Sequence, residues 1–128
     1  MATALEALLV YRLGEQGRLP EQLGTSGIYT LFSPIDFVVP PNGAAIIYLQ
    51  IRIAIPDAYV GQLGSLREQV RDGVFVGAEY LDSSVTSELK VLLFNHSPYF
   101  YQGNAGDAVA RLKLTRVFYP SVQEATIV

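Results

Sequence analysis

The 128-residue chain contains no cysteine. That excludes disulfides, a thiol nucleophile and cysteine-ligated zinc, and it suits an intracellular protein. His96 is the only histidine, so no second imidazole stands at metal-ligand spacing, and no serine triad order is evident. Charge is scarce as well: 16% of residues are Asp, Glu, Lys or Arg, and the net charge is −3. The nine Lys and Arg residues are scattered, which leaves no basic stripe for nucleic acid. The run Ala7-Leu8-Leu9-Val10 is far too short to span a bilayer. Glu6 interrupts that segment and no basic residue precedes it, so a signal peptide is not expected. Neither Gly-x-Gly-x-x-Gly nor a Walker pattern occurs.

What is present is apolar and strand-like. Hydrophobic residues make up 50% of the chain, enough for one well-packed domain. With so little charge, part of the apolar surface is expected to meet a partner or another subunit. Leu49, Ile51, Ile53 and Ile55 alternate with Gln50, Arg52 and Ala54, which predicts a strand with one buried face. Val91-Leu92-Leu93-Phe94 reads as a strand buried on both faces. Ala110, Leu112 and Leu114 alternate with Arg111, Lys113 and Thr115. The phase then changes into Val117-Phe118-Tyr119, which predicts a bulge or a crossing between sheets. Turn signals recur at Pro40-Pro41-Asn42-Gly43, Pro56-Asp57, Asp72-Gly73, Ser97-Pro98 and residues 103–107. Many short strands with such turns predict an all-β sandwich or barrel. Residues 4–13 offer the best helix, although Leu9-Val10-Tyr11 reads equally well as a strand.

In this order the strands and turns resemble the trimeric dUTPase family, from residue 26 to residue 120. Ser26-Gly27-Ile28-Tyr29-Thr30 stands where the family has Ala-Gly-Tyr-Asp-Leu. Gly77-Ala78-Glu79-Tyr80-Leu81-Asp82 resembles Gly-x-Gly-Val-Ile-Asp, and residues 106–112 resemble Gly-Asp-Arg-Ile-Ala-Gln-Leu. Pro40-Pro41, Ile55-Pro56, Val91-Leu92-Leu93-Phe94-Asn95 and Val117-Phe118-Tyr119-Pro120 match strands and their boundaries. The resemblance implies an all-β jelly-roll or barrel domain, placed over residues 1–120; residues 121–128 are expected to form a flexible tail that leaves the core. It also implies a homo-oligomer, most naturally a trimer.

The chemistry of that family is retained less well than its frame. Such an enzyme needs a carboxylate to activate water, a magnesium-held triphosphate and a uracil pocket. Asp82 falls where the resemblance places the water-activating Asp. The aromatic expected three positions later is Val85, the motif Asp is Tyr29, and Pro-Arg-Ser-Gly is replaced by Ser65-Leu66-Arg67-Glu68. No counterpart of the Gly-rich C-terminal arm follows. One general base without substrate clamps loses most transition-state stabilisation. No catalytic residue, cofactor or metal is therefore expected, and Asp82 is read as vestigial. The alternative is a residual dUTP pyrophosphatase or nucleotide binder that uses Asp82; a capsid-like structural β-domain is disfavoured.

The tail points elsewhere. Ala125-Thr126-Ile127-Val128 has the form of a peptide that PDZ domains capture as an added strand. Backbone amides would hold the carboxylate, a pocket would take Val128, and the Thr126 hydroxyl would supply a specific hydrogen bond. Together with residues 91–96 and Pro120-Ser121-Val122, this tail resembles a family of adenovirus early-region adaptors. That resemblance implies a non-enzymatic protein of the host cytoplasm and membrane-associated scaffolds, with a nuclear share. Its implied partners are host PDZ proteins of junction and polarity complexes, and phosphoinositide 3-kinase, whose growth signalling it activates. Two further segments are candidate partner surfaces. Leu66, Arg67 and Glu68 lie in a polar, flexible-looking stretch released from catalysis. Tyr99 and Tyr101 flank Phe100, and three adjacent aromatics cannot all face one core. His96 is expected to play a structural role at a strand end.

Overall fold

A computed structural model describes residues 7–128. Among the described residues, twelve short strands and one helix follow one another. They are β1 (Leu9–Arg12), β2 (Glu21–Gln22), β3 (Ile28–Phe32), β4 (Phe37–Val39), β5 (Ala44–Tyr48), β6 (Ile51–Ala54), β7 (Tyr59–Gly64), α1 (Arg67–Arg71), β8 (Val74–Val76), β9 (Tyr80–Leu81), β10 (Lys90–Asn95), β11 (Tyr101–Gly103) and β12 (Ala108–Arg116). The largest sheet has the order β2-β3-β12-β7-β9, and a second has the order β5-β10-β8. Two-stranded pairs β1-β6 and β11-β4 close the sides. All pairings are antiparallel. The all-β domain is thus as the sequence predicts.

Alternation builds the core. Leu31, Ile47, Ile53, Leu63, Val91, Leu93 and Leu112 point inward from six strands and are buried together. Each such side chain contributes about 1.5–3 kcal/mol relative to exposure. The predicted turns sit where the chain needs them. Asn42 and Ala58 adopt positive φ, and Gly73 and Gly106 do so at +81° and +93°. The Gly43 N–H donates to the Pro40 carbonyl at 3.0 Å, and the Asp107 N–H to the Asn104 carbonyl at 3.0 Å.

Several expectations are corrected. Leu49, Ile51, Ile53 and Ile55 are all buried, but they do not form one strand. Gln50 has φ +57° and separates β5 from β6. Its N–H donates to the Glu88 carboxylate at 2.9 Å, and its carbonyl accepts the Leu13 N–H at 2.8 Å. β10 is buried on one face only. Val91 and Leu93 are in the core, whereas Phe94 is exposed beside Phe75, on the same sheet face as Ile46 and Tyr48. A three-stranded antiparallel sheet covers the core with a single face. The bulge lies at Ala108/Ala110 instead of near residue 116. Of residues 4–13, the first three lie outside the described residues, and Leu9–Arg12 is strand β1.

Candidate functional site

Asp82 follows β9, which pairs with β7 through Gly61↔Leu81 and Gln62↔Tyr80. Its carboxylate Oδ1 accepts the Ser84 N–H at 2.9 Å and also the Ser84 hydroxyl. The Val85 N–H donates to the Asp82 carbonyl at 3.2 Å, and Val85 leans on the core. Asp82 therefore closes its own turn. The Ser84 hydroxyl first, and the Ser84 backbone N–H second, hold its carboxyl below the ordinary value. A general base works best with a pKa near the operating pH and a lone pair aimed at water. Asp82 has the first property reversed, and the Ser84 bonds occupy one of its oxygens. Tyr29 sits on β3, half-buried against the core, opposite Leu112 of β12. Among the described residues no three His, Asp or Glu side chains gather where they could hold a metal ion.

The stretch after β7 is ordered. Ser65 Oγ accepts the Val76 N–H at 2.9 Å. Leu66 is only 5% exposed and packs inward. It is thus a buried residue of this chain and not the surface residue expected from the polar sequence around it. Arg67 and Glu68 do face solvent, on α1. The residue that fixes the segment is Gln69, which is 0% exposed. Its Oε1 accepts the Leu66 N–H at 2.8 Å, and its Nε2 donates to the Val109 carbonyl at 2.7 Å. Val109 is the extra residue of the β12 bulge, and its carbonyl takes the Gln69 amide. Sequence reasoning missed Gln69. The available signal was a Gln three residues after Leu66, the helix position from which a side chain reaches back to an unpaired N–H.

The aromatic triplet divides. Tyr99 and Phe100 are 75% and 64% exposed. Tyr101, the first residue of β11, is half-buried with its ring centroid 6.2 Å from that of Phe37. Burial raises the Tyr101 hydroxyl pKa; a hydrogen bond from Gln69 opposes this, and Asp72, Glu68 and Asp107 add to the rise. An open groove of about 430 Å³ lies between these rings and the end of α1. His96 stands at the end of β10 between the Phe75 and Phe94 rings, at centroid distances of 5.6 and 6.4 Å. Its N–H donates to the Gly73 carbonyl at 2.8 Å.

The tail leaves the fold. β12 ends at Arg116, and the last backbone hydrogen bond runs from the Val117 N–H to the Ala58 carbonyl at 2.8 Å. Residues 118–128 carry no strand or helix and are exposed, Ala125, Thr126, Ile127 and Val128 among them. Ile127 is 98% exposed.

The dUTPase family profile matches residues 19–127. The small antiparallel sheets around one core agree with it. The chain belongs to the dUTPase family. The phage phi11 dUTPase of S. aureus, in its D95N form, shares the fold with a TM-score of 0.84 at 22% identity, covering 95% of this chain and 98% of that one. Within the family the chain groups with adenovirus proteins. It is 44% identical over 126 residues to the Early 4 ORF1 protein of human adenovirus C serotype 2, covering 98% of each. It is 34% identical over 123 residues to E4-ORF1 of human adenovirus D serotype 9, covering 96% of this chain and 98% of that one.

Proposed function

We propose that this E4-ORF1-like chain is a non-enzymatic viral adaptor. Ala125, Thr126, Ile127 and Val128 enter the groove of a host PDZ domain, with Val128 as the carboxyl-terminal residue. The recruited scaffolds belong to junction and polarity complexes. The body of the domain engages phosphoinositide 3-kinase signalling. The protein acts in the host cytoplasm at membrane-associated scaffolds, with a nuclear share. The observation that carries this reading is the tail: past the Val117 bond to Ala58 its backbone forms no ladder, and its side chains face solvent. Strand addition requires those free edges. A pull-down from cell lysate with the full chain and with a form lacking residues 126–128 tests it. PDZ proteins should be captured by the first only; equal capture by both overturns the reading.

Asp82 gives the next expectation. With its carboxylate engaged by Ser84 and Tyr29 in place of the family's motif Asp, the purified protein should release no pyrophosphate from dUTP. Turnover that disappears in Asp82→Asn would contradict the adaptor reading and assign the chain a hydrolase activity.

We further propose a homotrimer. Ile46, Tyr48, Phe75 and Phe94 leave an apolar face of the β5-β10-β8 sheet uncovered, and soluble proteins bury such faces in partners. Light scattering at micromolar concentration should give about three times the 14.0 kDa chain mass. A mass near 14.0 kDa would refute assembly.

A further inference from the structure

Serine hydroxyls in the turns of the domain are already engaged. Ser26 Oγ donates to the Leu23 carbonyl, and Ser33 Oγ to the Ile35 carbonyl. Ser84 Oγ donates to the Asp82 carboxylate, and Ser97 Oγ to the Tyr99 carbonyl. A protein kinase needs its acceptor hydroxyl in line with the γ-phosphorus of ATP and beside a catalytic carboxylate. A hydroxyl held in such a turn reaches that arrangement only if the turn opens first. Thr126 meets no such obstacle. It is exposed, it lies nine positions beyond Val117, whose N–H makes the last backbone bond, and residues 118–128 form no strand or helix. Nine extended residues reach about 30 Å, enough for a kinase cleft to close around Thr126 clear of the sheets. Ser121, the other Ser or Thr of this stretch, lies only four positions beyond Val117.

The consequence of a phosphate at Thr126 follows from charge. Glu124 is the only charged side chain among residues 117–128, and neither Arg nor Lys occurs there. The phosphate therefore has no cation in the tail to fold back on, and its effect falls on the partner. In a PDZ groove Thr126 stands two residues from the bound terminal carboxylate. Its free hydroxyl offers both a proton and lone pairs. A phosphate instead brings a charge of about −1.5 to −2, only acceptor oxygens when fully ionised, and extra bulk. Such a group beside a bound carboxylate is repelled by it and loses its water on entering the groove.

We propose that Thr126 is a phosphorylation site, and that its modification by a host protein kinase releases the chain from PDZ domains. Thr126 Oγ attacks the γ-phosphorus of ATP and forms the ester bond. The bond from that phosphorus to the bridging oxygen breaks, ADP leaves, and the hydroxyl proton passes to the kinase carboxylate. The proposal rests on the tail reading above and adds its regulation. The hydroxyl that the groove recognises is the one that the kinase modifies, so binding and modification exclude each other.

Two measurements on the full chain test it. In the first, the protein is incubated with host-cell lysate, ATP and phosphatase inhibitors, then digested with trypsin. Arg116 is the last Lys or Arg, so residues 117–128 are released as one peptide that carries Tyr119, Ser121 and Thr126. Fragmentation mass spectrometry should place a phosphate on Thr126. An unmodified peptide, or phosphate only on Tyr119 or Ser121, overturns the proposal. In the second, phosphothreonine is incorporated at position 126 during translation, and single PDZ domains are titrated by fluorescence. The phosphorylated chain should bind about a hundred-fold or more weakly than the unmodified one, a larger loss than for Thr126→Ala. Phosphatase treatment should restore binding. Affinity within about three-fold of the unmodified chain overturns the proposal and leaves the tail reading intact. No binding by the unmodified chain overturns both.

Discussion

Gln69→Ala should destabilise the domain by about 3–5 kcal/mol, the sum of two orphaned buried polar groups and a cavity. The Leu66 N–H and the Val109 carbonyl both rely on this one side chain, and the site is fully buried, so water cannot replace it. Gln69→Leu keeps most of the volume and still leaves both groups unpaired. It should cost less, about 2–4 kcal/mol, and the difference isolates the packing contribution. Urea unfolding provides the measurement. The midpoint should fall in both variants while the slope stays unchanged, because the area exposed on unfolding is nearly the same. A midpoint equal to wild type would mean that the β12 bulge does not depend on α1.

The same residue shows where sequence reading stops. Periodicity identifies faces, and it placed Ile51, Ile53, Ala110 and Leu112 in the core, where they are. It says nothing about a single residue of positive φ. Gln50 breaks the long alternating run at φ +57° without disturbing which residues face inward, so the break left no trace in the pattern. A bulge likewise shifts register by one residue among small apolar neighbours. Ala108, Val109 and Ala110 give no polar marker for it. Leu66 illustrates a second limit. Its neighbours Arg67 and Glu68 are polar, and only the long-range bond from Gln69 to Val109, 40 positions away, reveals that Leu66 is pinned inward. Local composition predicts a free loop there; tertiary satisfaction of two backbone groups makes it a strut. Around Asp82 the residue types were legible, while the Ser84 contacts that occupy the carboxylate required coordinates. Low overall charge did signal uncovered apolar surface, and Phe75, Phe94, Ile46 and Tyr48 are part of it.

Loss of the terminal valine should have the largest effect on partner capture. Deleting Val128 moves the carboxylate out of register with the PDZ amides and leaves the side-chain pocket empty, so two of the three recognition elements fail together. Binding to isolated PDZ domains should fall below detection. Thr126→Ala removes only the third element. A lost specific hydrogen bond whose partner is left unpaired costs about 1–2 kcal/mol. Short peptides bind in the micromolar range, about −8 kcal/mol, so this loss corresponds to roughly five- to thirty-fold weaker binding. Neither change should alter folding, since both residues lie beyond the last backbone hydrogen bond of the domain. Several tails on one trimer would raise the apparent strength toward multi-PDZ scaffolds through effective concentration. Single PDZ domains are therefore the appropriate ligand for a clean comparison.

The most direct measurement is a fluorescence titration of single PDZ domains with the full-length wild-type and Thr126→Ala proteins. Saturable wild-type binding, weakened about five- to thirty-fold by the substitution, is the predicted result. Equal affinity of the two proteins, or no binding by the wild type, would contradict the proposed function.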